Sequence, residues 1–265
     1  MIRTAFTLPR SVADDVEVWA IGDAHGCYAE ACAVIDAIAA TPRAAARRVL
    51  VTLGDAIDRG PNSLKTLDLW QNAAGRAEAD ELVSLMGNHE QMLRRGFGLP
   101  QDGPCDPNEQ FTAHFLWARN GGSKVLDQLD INFGDIESLI SALGPARIAY
   151  LRALKSHYRS GDLLFVHAGV APHQPIASFL KKPWHEIPED GAHWCWIREP
   201  FLNAAHEDGF EGSFVVHGHT TPGHEPFDLE TQVRRFRLNL DFGSFKTGQI
   251  GFARFIGDQA LVYRA

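Results

Sequence analysis

The chain has 265 residues, 45% of them hydrophobic and 22% charged, and a formal net charge of −8. A chain of that kind buries a core large enough to hold a rigid site. It lacks the basic footprint on which general nucleic-acid or anionic-membrane binding rests, so neither partner is expected and any phosphate must be handled locally.

The N-terminal stretch MIRTAFTLPRSVADDVEV has no uninterrupted apolar core of the signal-peptide type. No stretch approaches the roughly 20 apolar residues of a membrane span. Cys27, Cys32, Cys105 and Cys195 form no CxxC pair, and four reduced thiols in a cytoplasmic protein are the expectation. Next, VEVWAIG (16–22), RVLVTLG (48–54) and ELVSLMG (81–87) are predicted strands, separated by the helix-compatible YAEACAVIDAIAA and SLKTLDLWQNAAG. That alternation predicts an α/β fold with crossover connections and a sheet covered on both faces.

From about 91 to 160 the pattern turns helical, in EQMLRRGFGL, FTAHFLWARNGGSKVLDQL and SLISALGPARIAYLRALK, broken by a loop QDGPCDPNEQ. It reads as an insert-like helical region within one domain spanning 1–265. Strand patterns return in LLFVHAG (163–169), SFVVHG (213–218), RRFRLNLDF, QIGFARFI and ALVYRA. Turn residues at Asp241–Ser244 and Gly257–Asp258 predict an antiparallel end to the sheet system.

Ligands gather where the strands of open α/β sheets end. VEVWAI runs into Asp23 and His25, RVLVTL into Asp55, Asp58 and Arg59, ELVSLM into Asn88 and His89, LLFV into His167, and SFVV into His217 and His219. One such residue is usually a cap or a satisfied polar group, and Arg59 alone reads as a salt-bridged turn residue. Five strand ends doing this together would crowd carboxylates at a desolvation cost that cations relieve. The oxygen and imidazole donors, without thiolate, suit manganese, iron, zinc or nickel better than magnesium or calcium alone. They suffice for two divalent ions sharing one carboxylate.

GDAHG, GDAIDRG, GNHE, FVHAG and HGHT, in that order, resemble the calcineurin-like metallophosphoesterases, and within them the bacterial PPP-type serine/threonine protein phosphatases. The resemblance implies two packed mixed β-sheets flanked by helices, with a dinuclear metal site at the carboxyl ends of the strands. It implies that Asp23 and His25 bind the first metal, that Asp55 bridges, and that Asn88, His167 and His219 bind the second. Thr221 stands where the wider superfamily often has the last histidine of GHxH, which leaves the first metal more open. His217 is expected behind the ligands, with coordination the open alternative.

By the same resemblance, a metal-activated water attacks phosphorus in line. Arg59 and Arg198 of WIREP, with Asn88, bind the phosphate, His89 protonates the leaving group and Asp58 orients His89. Trp117 and Asn120 in LWARNGG are assigned to packing beside the site. Trp184, Trp194 and Trp196 are assigned to a wall near Arg198. His114, His157, His173, His185, His193, His206 and His224 are read as surface or core histidines. Ala24, Ala56 and Phe245 depart from the residues usual at their motif positions.

The leading function implied is a manganese-loaded phosphatase of phosphoserine or phosphothreonine proteins. The enzymatic alternative is a diadenosine polyphosphate hydrolase, whose bacterial members typically carry alanine at the position of Asp58. A non-catalytic scaffold is the remote third reading, since no expected ligand is missing.

Overall fold

The structure is a computed structural model that describes residues 2–264 apart from 104, 189, 205–208 and 222–227. His206 and His224 therefore lie outside the described residues. In chain order the first half contains β1 (Ile2–Thr7), β2 (Val16–Ile21), α1 (Tyr28–Ala39), β3 (Arg47–Thr52), α2 (Ser63–Gln71), α3 (Ala73–Arg76), β4 (Glu81–Ser84) and α4 (Asn88–Phe97). Then come α5 (Pro107–Trp117), a wide turn at Ala118–Gly122, α6 (Ser123–Leu129), α7 (Ile136–Ala153), β5 (His157–Ser160), β6 (Leu163–Val166) and α8 (Ile176–Phe179). The chain closes with β7 (Phe214–His217), α9 (Leu229–Arg234), β8 (Arg237–Asn239), α10 (Ser244–Thr247), β9 (Gly251–Ile256) and β10 (Gln259–Arg264).

Two mixed sheets result, one of order β1-β10-β9-β2-β3-β4 and one of order β5-β6-β7-β8. β2, β3 and β4 run parallel, as do β6, β7 and β8. Alternation along each strand decides which layer a side chain joins. Val18, Ala20, Val49, Val51 and Val83 share a core with Phe165, Val215 and Leu238 of the second sheet. Their neighbours Trp19, Ile21 and Leu50 join Val34, Ile35, Leu67 and Trp70 of α1 and α2. The sheets thus face each other, and helices cover the far side of the larger one. Both sets of parallel strands end at one edge.

The N-terminal stretch, for which no element was predicted, forms β1, an edge strand paired antiparallel with β10. Three expectations need correction. The predicted loop 101–110 is helical from Pro107, where the Asp106 carboxylate accepts from the Asn108 amide at 2.8 Å and proline occupies the first turn. RRFRLNLDF is not one antiparallel strand: Arg234 ends α9, and only Arg237–Asn239 pairs, parallel to β7. Asp241–Ser244 accordingly makes no hairpin but carries the chain from the second sheet to the first, starting α10 at Ser244. The turn at Gly257–Asp258 does join the antiparallel β9 and β10.

Candidate dinuclear metal centre

The ends of β2, β3, β4, β6 and β7 converge, and two groups of donor atoms meet there. His25, Asp55 and His89 lie with their ligand atoms within 4.8 Å of one another, and so do Asp55, His167 and His219. All five are buried, and Asp55 is common to both groups. Its Oδ2 stands 3.7 Å from His25 Nε2 and 3.9 Å from His89 Nε2, while Oδ1 stands 3.5 Å from His167 Nε2. Asn88 joins the second group, its Oδ1 lying 3.1 Å from His167 Nε2 and 2.9 Å from His219 Nδ1.

Each histidine is oriented by a partner on its other nitrogen, the arrangement that aims an imidazole at a cation. His25 Nδ1 meets the Ile57 carbonyl at 2.9 Å and His167 Nδ1 the Leu53 carbonyl at 2.8 Å. His219 Nε2 meets the Trp196 carbonyl at 3.0 Å, and His89 Nδ1 meets Asp58 Oδ2 at 2.6 Å. Asp58 is held in turn by the Trp117 indole, which donates to its Oδ1 at 2.9 Å.

Backbone strain concentrates at the same place. Ten described non-glycine residues have positive φ, and five of them are His25, Asp55, Asp58, Arg59 and His219. Each such residue costs on the order of 1–3 kcal/mol and persists only where its surroundings over-determine it. Here the loops fix one another: the amides of Ala24 and His25 donate to the Asp55 carbonyl at 3.1 and 2.9 Å.

The donors fit divalent cations. Asp23 accepts from the His219 amide through Oδ2 at 3.0 Å, but its buried Oδ1 has no hydrogen-bond partner. A Cβ at Gly218 would lie 2.0 Å from that oxygen, and one at Gly87 would lie 2.1 Å from Asp55 Oδ1. Glycine is needed at both positions so that backbone can pass behind the carboxylates. Burial works to raise Asp55, yet His167 and His89 hold it well below its ordinary value. Burial works to lower His167, yet Asp55 drives it up to about 9. The cluster therefore calls for positive charge at its centre.

The sequence pattern of the calcineurin-like phosphoesterases matches residues 16–233, which takes in all five strand ends. The chain belongs to that family. As a calcineurin-like phosphoesterase it is a phosphoester hydrolase, and its two His/Asp donor groups could hold a pair of divalent metal ions. It is 36% identical to serine/threonine-protein phosphatase 1 of Salmonella typhimurium, over 89% of this chain and 91% of that one. It is 31% identical to a symmetrical bis(5'-nucleosyl)-tetraphosphatase of Methylococcus capsulatus, over 58% of this chain. The match spans only 44% of the Methylococcus protein. Among solved structures, a cold-active protein-tyrosine phosphatase of a psychrophilic Shewanella superposes with a TM-score of 0.52 at 16% identity. That alignment covers 92% of this phosphoesterase and 80% of the other chain, and it establishes the shared fold.

The remaining site residues of this phosphoesterase lie around the centre. Arg59 donates through Nε to the Asn120 carbonyl at 3.2 Å, and its NH1 and NH2 reach His25 and His89 Nε2 at 3.1 and 2.9 Å. Arg198 reaches the rim, its NH2 donating to the His219 carbonyl at 3.3 Å. His217 is buried beside Phe201 and belongs to neither donor group. His89, expected as the acid and not as a ligand, stands in the first donor group, whereas Asp23, expected there as a ligand, does not. His114 and His193 are core, His157 is half-buried, and His173 and His185 are exposed. Of the three tryptophans assigned to the wall, Trp184 stacks on Arg94, 3.9 Å from guanidinium to ring centre.

Sequence reasoning missed four contributors. Trp117 was given only a packing role, but it also anchors Asp58. Phe245 lies under the Arg59 guanidinium at 4.9 Å and edge-on to His25. Asp241, at the end of β8, accepts from the Gly243 amide through Oδ1 while its buried Oδ2 is unpartnered, and burial raises it to about 6. Glu90 sits at the third position of α4 and gathers the amides of Gly87, Asp55 and Ala56 at 2.8–3.0 Å and that of Ile57 at 3.4 Å. An acidic residue in the first turn of a helix was a legible signal for Glu90.

Glu90 therefore clamps the GDAID and GNH loops through one buried carboxylate. Each buried N–H left unpaired costs roughly 1–3 kcal/mol, so Glu90→Ala is expected to lose at least about 3 kcal/mol of stability. Urea unfolding of the two proteins measures this, and an unchanged midpoint and slope would mean that the loops hold themselves.

Proposed function

We propose that the protein is a phosphoprotein phosphatase acting on phosphoserine and phosphothreonine, loaded with manganese. In this reading Asp23, His25 and Asp55 hold one ion, and Asp55, Asn88, His167 and His219 hold the other. Divalent ions so held supply Lewis acidity and an acidified water. Arg59 turns both of its terminal N–H groups over the centre and Arg198 closes on its rim, and together they bind phosphoryl oxygens with paired donors. His89 gives its Nε2 proton to the leaving oxygen, and Asp58 stabilises the imidazole through Nδ1.

The observation that carries the reading is the Trp117–Asp58–His89 chain, with bonds of 2.9 and 2.6 Å and with His89 Nε2 turned to the centre beside the Arg59 guanidinium, 2.9 Å away. A serine or threonine alkoxide is a poor leaving group and needs a placed acid. A nucleotide phosphate leaves with far less help. The Salmonella phosphatase, matched over nearly its whole length, supports the same reading. Four thiols without a disulfide fit a reducing compartment such as the cytoplasm.

Hydrolysis of dinucleoside polyphosphates is the second reading, favoured by the match to the Methylococcus tetraphosphatase. One sample of manganese-loaded protein, offered a phosphothreonine peptide and diadenosine tetraphosphate in separate reactions, decides between them. Phosphorus NMR follows both products, with Asp55→Asn as the blank. Higher kcat/KM on the peptide is expected. Higher kcat/KM on the dinucleotide would make this a nucleotide-clearing enzyme.

A further inference from the structure

Between α5 and residues 183–188 runs a groove of about 830 Å3, walled by Ala113, Leu116, Asn120, Ile187, Pro188 and Trp196. It adjoins the metal centre at two points. The Asn120 carbonyl accepts from Arg59 Nε at 3.2 Å, and the Trp196 carbonyl meets His219 Nε2 at 3.0 Å. Whole small-molecule sites occupy roughly 300–1,000 Å3, so this space far exceeds what a phosphoryl group and one side chain fill.

The groove is also pre-formed. Gln91 follows His89 by two residues on α4, and its amide nitrogen donates to the carbonyls of Trp184 and Glu186. Its amide oxygen accepts from the Trp196 indole. One buried side chain thus ties the 183–188 wall to the helix that carries Asn88 and His89. A ligand entering such a groove meets little ordering cost.

Charge decides what enters. Arg95 lines the groove but is paired with Glu109, and Glu186 adds a second carboxylate. A polyphosphate chain would therefore meet more carboxylate than guanidinium. The walls instead offer apolar surface, with the Asn108 amide and the Thr112 hydroxyl among it. Those groups match a polypeptide backbone carrying apolar or basic side chains. We propose that this groove binds the polypeptide segment adjoining the phosphorylated residue and selects against acidic residues there. The proposal rests on the phosphoprotein reading above.

Two substitutions test it without touching the metal centre. Thr112→Trp fills the groove from an exposed position of α5, and Ile187→Asp adds a carboxylate to the opposite wall. Both are assayed on p-nitrophenyl phosphate, which is too small to reach the groove, and on a phosphothreonine peptide flanked by leucine and alanine. KM for the peptide is expected to rise about tenfold or more in each variant, as for loss of a well-packed contact. The aryl phosphate should keep its kcat/KM within about twofold, which also reports an intact fold. Replacing the flanking residues by glutamate should raise KM for the wild-type enzyme.

Wild-type KM for the peptide in both variants would overturn the groove and leave the phosphoprotein reading standing. Equal losses on both substrates would overturn it as well, by showing damage to the centre. A wild-type enzyme that ignores the peptide and cleaves diadenosine tetraphosphate would remove the phosphoprotein reading, and the peptide groove with it.

Discussion

Asp55→Asn is expected to lower kcat/KM by about 10³-fold or more while the protein stays folded, because several kcal/mol of metal-borne charge stabilisation goes with it. Asp55 is the residue common to both donor groups, with one oxygen turned to His25 and His89 and the other to His167. Asparagine keeps the shape, and its amide oxygen can still accept from the His89 amide, which now donates to Oδ1 at 3.1 Å. It does not keep the charge or a second acceptor oxygen. The loop survives the change because its backbone hangs on Glu90 rather than on the Asp55 side chain. Circular dichroism should therefore match the wild type while bound manganese, counted by mass spectrometry after desalting, falls. Near-wild-type turnover at saturating manganese would remove Asp55 from its shared position.

His89→Ala is expected to reduce hydrolysis of phosphoserine by about 10²–10⁴-fold, the usual range for a lost general acid. On p-nitrophenyl phosphate, whose leaving group needs little protonation, the loss should be about tenfold or less. The difference follows from geometry. Nδ1 is committed to Asp58, Asp58 is committed to Trp117, and Nε2 points to the centre beside Arg59, the phosphate-binding guanidinium of the proposed mechanism. The ligand atom of His89 also lies within 4.8 Å of those of His25 and Asp55, close enough for the three to share one ion. The two substrates separate these roles. A lost acid spares the aryl ester, whereas a lost ligand would reduce both equally and release metal. Asp58→Asn should reproduce the same selectivity more weakly, since it loosens the imidazole without removing it.

The strand ends were legible because the fold writes them plainly. Near-continuous apolar runs such as RVLVTL mark strands covered on both faces, and polar residues directly after them have nowhere to go but the shared edge. Elements without such a signal were missed. β1 is an exposed edge strand and β5 is four residues of mixed polarity, whereas β8 was found but overextended, being only three residues bounded by a positive-φ Phe236. Reading the β8 run as a hairpin arm concealed Asp241, which obeys the same strand-end rule as Asp23 and Asp55. Phe245 and Trp117 reach the site over 186 and 59 residues of sequence, and no local period announces contacts of that kind. The left-handed backbone at Asp55, Asp58 and Arg59 is equally silent in sequence, since it is imposed by the amides that Glu90 and the neighbouring loops bind.

Two metal positions joined by Asp55 are what the proposed chemistry requires. Low-temperature electron paramagnetic resonance of the protein titrated with Mn2+ tests this without relying on turnover. At two equivalents the wild type should give the multiline spectrum of an exchange-coupled pair, and Asp55→Asn should lose it. Isolated six-line signals from the wild type at two equivalents would contradict a shared carboxylate and, with it, the dinuclear centre proposed for this phosphoesterase.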